Sequence, residues 1–285
     1  MRPEFLSLCL EYLAAAEGSR DEKEYWVLQD MRLHDEHRYN MQLKWTEEVI
    51  EKSPIPVRYI KRRPHSFSGN SYNLLEGYKE AYESTAPFVA LVEDDVLVTP
   101  DYWKWNDAVY AREPEIMASV AYRCKRNGEA RTDITDSSAY FTSARDYASV
   151  GPVWRRERLG PVVEHAVSEY YGNMAGYLDT RFPTDVYSGW YHEQDGLIMR
   201  VQHEQGWSTA WGYVPRCYHM GWYGYHRPNG KRPDGQLKEK VAAIREQIHS
   251  AGRLRISAPD FGDIEPYDAS LNVPFSEMRK EQHFT

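Results

Sequence analysis

The run Phe88-Val89-Ala90-Leu91-Val92-Glu93-Asp94-Asp95 constrains this chain more than any other stretch. Five apolar residues in a row read as a strand with both faces covered. Three consecutive carboxylates follow at once. Thr99-Pro100 then reads as the N-cap and first residue of a helix. Neighbouring carboxylates repel, so three of them at the end of a buried strand are costly unless a cation offsets their charge. In open α/β sheets, ligands bind at the carboxyl ends of the strands. The triplet is therefore a candidate divalent-cation site serving a phosphorylated ligand, with a solvated acidic turn as the alternative reading.

The preceding residues alternate helix and strand patterns. Pro3 with Phe5, Leu6, Cys9 and Leu13 marks a helix that stops near Gly18. Tyr25 to Gln29 and Val57 to Ile60 read as strands. Met41, Trp45, Val49 and Ile50 form one helical stripe, and Leu74, Leu75, Tyr78, Ala81 and Tyr82 another. Such alternation predicts an α/β sheet, mixed but mostly parallel, with helices on its faces. Beyond residue 105 the pattern is less regular. Strands are expected at Ile116–Ala121, Ala139–Thr142 and Thr209–Tyr213, and helices at Pro161–Tyr171 and Leu197–Gln205. Thr180–Tyr191 reads as a loop. Asp234 caps a helix with the stripe Leu237, Val241, Ile244 and Ile248, and residues 253–285 read as an extended or disordered tail. This gives residues 1–105 as one half of a large domain, 106–232 as the other half, and 233–285 as a C-terminal helix and tail.

A formal net charge of −8 disfavours a general nucleic-acid binder. Two local basic groups remain, Arg58, Lys61, Arg62 and Arg63, and Arg155, Arg156 and Arg158. They read as solvated surface or as contacts for a diphosphate or a polyanion. Cys9, Cys124 and Cys217 are odd in number and far apart, which gives neither a disulfide framework nor zinc spacing. No apolar run is long enough to span a membrane, and the first residues lack the apolar core of a signal peptide. The expectation is a soluble, cytoplasmic protein. Aromatic residues make up 14% of the chain, which suits wet clefts and sugar faces as well as core.

Several segments, in order, resemble one family. Glu93-Asp94-Asp95 after an apolar strand, with Thr99-Pro100-Asp101-Tyr102-Trp103 beyond it, resembles the D-x-D-type motif of GT-A glycosyltransferases. Arg2-Pro3-Glu4-Phe5-Leu6 with Cys9-Leu10 is similar to the opening of that family's first helix. Trp26 to Asp30 is similar to its second strand. Gly69 to Gly77 resembles the helix before the metal strand. Ser138 to Phe141 and Val150 to Val153 resemble segments of its acceptor half. The resemblance covers residues 1 to about 226. It implies a GT-A (Rossmann-like) α/β fold and a metal-dependent, inverting transfer of a sugar from a nucleotide-diphosphate donor, a UDP-sugar foremost, to a hydroxyl acceptor. The implied cation is Mn²⁺ or Mg²⁺. The family's sheet begins with a strand before the Arg-Pro segment. That strand is missing here, so the expectation is either a start placed too far downstream or another segment in the slot, and base recognition depends on which.

Asp95, last in the triplet, is the candidate direct metal ligand. The resemblance gives Glu93 and Asp94 contacts to ribose, donor sugar or metal-bound water. His192-Glu193-Gln194-Asp195-Gly196-Leu197 with Arg200, Gly206 and Trp207 resembles the segment whose carboxylate, at a helix start, is the general base. Asp195 is preferred and Glu193 is the alternative; a helix cap is the competing role. Tyr218-His219-Met220-Gly221-Trp222 resembles the late segment whose histidine completes the metal shell, with packing among aromatics as the other reading of His219 and, further on, of His226. Trp222 and Tyr223 are candidates for the floor of the donor pocket. Asp30 and Asn73 are nucleotide-side candidates by position, and each equally suits a turn or cap. Three other functions fit parts of the pattern: a sugar nucleotidyltransferase, a non-catalytic carbohydrate-binding relative, and a phage-type glycosyltransferase acting on DNA bases.

Overall fold

The computed structural model describes residues 3–19, 21–31, 36–67, 70–122, 125–126, 129–130, 139–183, 185–187, 190–219 and 279–280. In chain order the elements are α1 (Pro3–Ala15), β1 (Tyr25–Gln29), α2 (Glu36–Glu51), β2 (Val57–Lys61), α3 (Ser71–Tyr82), β3 (Phe88–Ala90), β4 (Val96–Val98), α4 (Tyr102–Arg112) and β5 (Ala118–Val120). The two-residue strands β6 (Lys125–Arg126) and β7 (Glu129–Ala130) follow. Then come β8 (Ala139–Ser143), β9 (Pro152–Arg155), α5 (Gly160–Val163), α6 (Ser168–Gly172), α7 (Met174–Arg181), α8 (Gln194–Glu204), β10 (Thr209–Gly212), β11 (Cys217–His219) and β12 (Arg279–Lys280).

The architecture is mixed α/β. One sheet runs in the order β12-β8-β10-β5-β9-β3, and β1-β2, β11-β4 and β6-β7 form separate pairs. Alternation of side chains along the strands divides the core into two layers. Ala139, Phe141, Trp154 and Trp211 face one layer, completed by Leu74, Leu75 and Tyr78 of α3 and Leu197, Ile198 and Val201 of α8. Tyr140, Val153 and Ala210, one position away on the same strands, face the other layer with Leu6, Cys9 and Leu13 of α1 and Trp105 and Val109 of α4. Helices therefore cover both faces of the sheet.

Three expectations need correction. The main sheet is not mostly parallel: β3–β9, β5–β9 and β10–β8 pair antiparallel, against parallel β10–β5 and β12–β8. β3, β5 and β10 do share one direction, as helical crossovers require. β9, however, is inserted between β3 and β5 and runs against both. The apolar run at Phe88 is also shorter as a strand than predicted. It ends at Ala90 and lies at the sheet edge, bonded only to β9 among the described residues, so Phe88 remains 39% exposed. Finally, Thr99-Pro100 does not start a helix. Val96–Val98 turns away to pair with β11, and α4 starts at Tyr102 with Asp101 at its N-cap position, where Thr99 Oγ1 donates to the Asp101 carboxylate.

β1 and β2 form a parallel pair that is not hydrogen-bonded to β3 among the described residues. The predicted helix from Pro161 to Tyr171 is two short helices, α5 and α6, and the predicted loop from Thr180 begins only after α7. α8 ends as expected at Gly206, whose φ of 65° is a left-handed conformation that favours glycine. Among the described residues, no helix is long and apolar enough to cross a membrane. The predicted helix after Asp234 and the residues 253–278 and 281–285 lie outside the described residues.

Candidate metal and catalytic site

The acidic triplet sits in the turn between β3 and β4, where the Val96 amide donates to the Glu93 carbonyl at 3.0 Å. β11 pairs antiparallel with β4 in the register Val98↔Cys217, Leu97↔Tyr218, Val96↔His219. That register puts His219 beside the residue after Asp95. Its Nε2 lies 3.2 Å from Asp95 Oδ2, although the two are 219 − 95 = 124 positions apart. One ligand atom each from Glu93, Asp95 and His219 lies within 4.8 Å of the others. Asp95 is 2% exposed. Burial chiefly pushes Glu93 up to about 8, helped by the Asp95, Asp94 and Asp195 charges and opposed by His219. Glu93 is further oriented by Asn70, whose Nδ2 donates to Oε1 at 3.4 Å. Cys9 of α1 packs underneath, its thiol 3.6 Å from the Glu93 carbonyl and held protonated by burial and by Asp94 and Asp95.

Arg216 fixes the strand that carries His219. It is fully buried, its guanidinium lying over Trp105 and 3.5 Å from Asp101, with Nη1 donating to the Val214 carbonyl. Its amide donates to Ala121 O at 2.7 Å and its carbonyl accepts from Thr99 N at 2.9 Å. β11 is thus tied to β4 and to the residue after β5.

At the start of α8, three consecutive polar residues point three ways. Glu193, the N-cap, is extended and exposed and makes no side-chain cap. Gln194 is buried and accepts from Ser71 Oγ of α3 at 2.7 Å. Asp195 turns inward and accepts a hydrogen bond from Ser149 Oγ. Burial pushes Asp195 up to about 6, against the lowering effect of Ser149 and with a further raising effect from Glu193. Asp195 is close enough to the triplet for its charge to raise Glu93. Gly196 is required next: a Cβ there would lie 1.8 Å from the Tyr191 carbonyl oxygen. Arg200 Nη1 donates to that same carbonyl at 2.6 Å and to Gly196 O at 2.9 Å, which clamps the loop leading into the helix.

The structure therefore brings Asp95, His219 and Asp195 of the predicted residues into one neighbourhood. It adds Glu93 to the ligand cluster, where the sequence suggested contacts to the donor; Asp94 is half-buried beside them. Asp30 and Asn73 have partners of their own within the protein. Asp30 Oδ1 is 2.6 Å from Nε2 of the buried His65. Asn73 accepts from Arg62 Nε at 3.1 Å and donates to Leu28 O at 3.2 Å, and Arg62 pairs with Glu80. Trp222, Tyr223 and His226 lie outside the described residues. Sequence reasoning missed Ser149, Asn70 and the Ser71–Gln194 bond. Asn70, Ser71 and Gln194 stood in segments that had drawn notice, but for other residues; Ser149, in an irregular connection, carries no pattern.

The donor set fits a hard or borderline divalent cation: two carboxylates and one imidazole, with Glu93 pushed up by burial and by the neighbouring carboxylates. No protein-family model matches the chain, and no curated protein matches it either.

Proposed function

We propose that this protein is a metal-dependent glycosyltransferase with a GT-A-like organisation, moving a sugar from a nucleotide diphosphate, UDP foremost, to a hydroxyl acceptor with inversion. The observation that carries this reading is the convergence of Glu93, Asp95 and His219 on one point, with Asp195 near enough to act on Glu93 electrostatically. A Mn²⁺ or Mg²⁺ ion held by Asp95, His219 and Glu93 would supply charge neutralisation for the departing diphosphate.

The chain's own residues have distinct tasks in this reading. Asp195 takes the proton from the acceptor hydroxyl. As it does so, the acceptor oxygen bonds to the anomeric carbon, and the bond from that carbon to the diphosphate oxygen breaks. The nucleoside diphosphate leaves with the electron pair. Burial supports the role of Asp195, because a carboxylate raised to about 6 is a stronger base than a solvated one and is still ionised near neutral pH. The Arg200 clamp keeps the entry to α8 rigid, so the base keeps its place. Glu193, exposed at the N-cap, contributes charge at the rim rather than proton transfer.

Calorimetric titration of UDP with Mn²⁺ tests the reading. The parent protein is expected to bind UDP only when Mn²⁺ is present, and Asp95→Asn to lose that dependence while keeping its fold. Equal binding by the two proteins would place the nucleotide elsewhere and overturn the assignment.

A further inference from the structure

Ser149 lies in the connection between β8 and β9, in no regular element, yet it is only 3% exposed. Its hydroxyl donates to Asp195 Oδ1, and among the described residues Ser149 is the only hydrogen-bond donor to that carboxylate. The backbone on either side is fixed. Two residues earlier, Tyr147 receives Trp154 Nε1–H at 3.2 Å, and its hydroxyl lies 3.0 Å from that of Tyr78. One residue later, the Val150 carbonyl accepts from the Cys217 thiol at 3.7 Å. Gly151 follows at a φ of 61°, where a Cβ would meet the Cys217 sulfur at 2.9 Å. Its carbonyl accepts from Tyr102 at 3.2 Å.

Cys217 is two residues before His219 on β11. The connection that holds Asp195 therefore leans on the strand that carries the candidate metal ligand. A small side chain able to donate a hydrogen bond is what this spot needs. An apolar side chain would remove the hydroxyl donor and leave the Asp195 carboxylate only the backbone hydrogen bond of residue 149.

We propose that Ser149 is the positioning residue of the proposed base: its hydroxyl holds one oxygen of Asp195 and leaves the other turned toward the acceptor. The inference rests on the glycosyltransferase reading for its purpose, and on the Ser149–Asp195 geometry for its mechanism. The other ionisable groups that feel the Asp195 charge are Glu193 on its own helix, Glu93 in the β3–β4 turn, Tyr78 of α3, Tyr147, and Tyr170 of α6. None of these is hydrogen-bonded to the Asp195 side chain among the described residues, so removing the Ser149 hydroxyl leaves only the backbone hydrogen bond from residue 149 itself.

The test is Ser149→Ala in the full chain, with two readouts. The first is the carboxyl ¹³C titration of Asp195, assigned by its disappearance in Asp195→Asn. The alanine variant is expected to move the midpoint upward by about one pH unit, since a donor to the charged form is lost. An unmoved midpoint overturns the proposal. The second readout is Mn²⁺-dependent release of UDP from UDP-glucose and UDP-N-acetylglucosamine. Here kcat is expected to fall about tenfold near pH 7, with the acid limb shifted upward and the donor KM unchanged. A rise in KM with unchanged kcat, or loss of Mn²⁺–UDP binding, would make Ser149 a fold or donor-site residue and overturn the proposal. If the parent releases no UDP from either donor and binds none, the glycosyltransferase reading fails instead, and the titration still decides whether Ser149 governs Asp195.

Discussion

Two places at the carboxyl ends of strands treat their charges in opposite ways. Beyond β1 and β2, buried charges meet partners within the protein: Asp30 with His65 and Arg62 with Glu80, with Asn73 bridging Arg62 to the β1 backbone. In the turn beyond β3, Glu93, Asp94 and Asp95 crowd together with one histidine, and Glu93 is pushed up to about 8. Both positions are where α/β sheets bind ligands, so position alone does not distinguish them. What distinguishes them is the balance of charge: Asp30 and Arg62 each meet one partner, whereas three carboxylates share one histidine. An excess of carboxylates at a buried spot is offset by protons or by a cation.

The most direct expected effect follows from that contrast. With Mn²⁺ at about a hundred times its dissociation constant, the parent gains roughly 2.7 kcal/mol, or about 5 °C in melting temperature. Asp95→Asn should abolish this gain, whereas Asp30→Asn should leave it intact. Equal losses in a thermal-shift series would break the distinction between the two places.

The metal affinity should also depend on pH. Glu93 must lose a proton held up to about 8 before it can bind, so Mn²⁺ affinity should fall by up to about tenfold per pH unit below that value. Titrations at pH 6, 7 and 8 measure the slope; a flat profile would remove Glu93 from the ligand set.

A third expectation concerns Asp195 and has the opposite sign from a loss. Its pKa lies above the ordinary value of 3.8, at about 6, so the charged form is disfavoured in the folded state. Folding stability from this group is full below about pH 4 and is lost as pH rises through about 6. Asp195→Asn should therefore stabilise the protein at pH 8 by up to about 3 kcal/mol, from roughly two pKa units at 1.36 kcal/mol each. It should show no such advantage at pH 4, while abolishing transfer. Denaturant unfolding at both pH values gives the check, and an equal effect at the two would mean that the charge is not the cause.

The smallest effect is expected in the matched cluster. Asp30→Asn weakens the bond to a buried histidine and should cost about 1 kcal/mol of stability, with Mn²⁺ and UDP binding unchanged. A change in nucleotide affinity here would give Asp30 the nucleotide-side role instead.

Much of the fold was readable from spacing. The helices around Leu6, Leu74 and Leu197 and the strands at Tyr25, Val57, Ala139 and Thr209 lie where periodicity put them, because each buries a face whose pattern is local. The strand direction in the second half was not readable. Whether β9 runs with or against its neighbours depends on the path of the chain between β8 and β9, which no periodicity records. The candidate site divides in the same way. Its carboxylates stood out as an improbable run, but the residues that tune them come from distant segments: Asn70 on Glu93, Ser149 on Asp195, and Cys9 beneath the triplet.

The sequence by itself determined an α/β chain with an acidic strand end, a carboxylate at a helix start and a late histidine, since those are properties of residue type and local order. Only the tertiary structure decided that His219 meets Asp95, that Asp195 rather than Glu193 faces inward, and that Asp30 and Asn73 are already engaged. The reason is physical. The β4–β11 register and the helix phase at Gln194 are set by packing against elements more than a hundred residues away; a one-residue slip in the register would turn His219 to the other face, and one in the helix would swing Asp195 by about 100°.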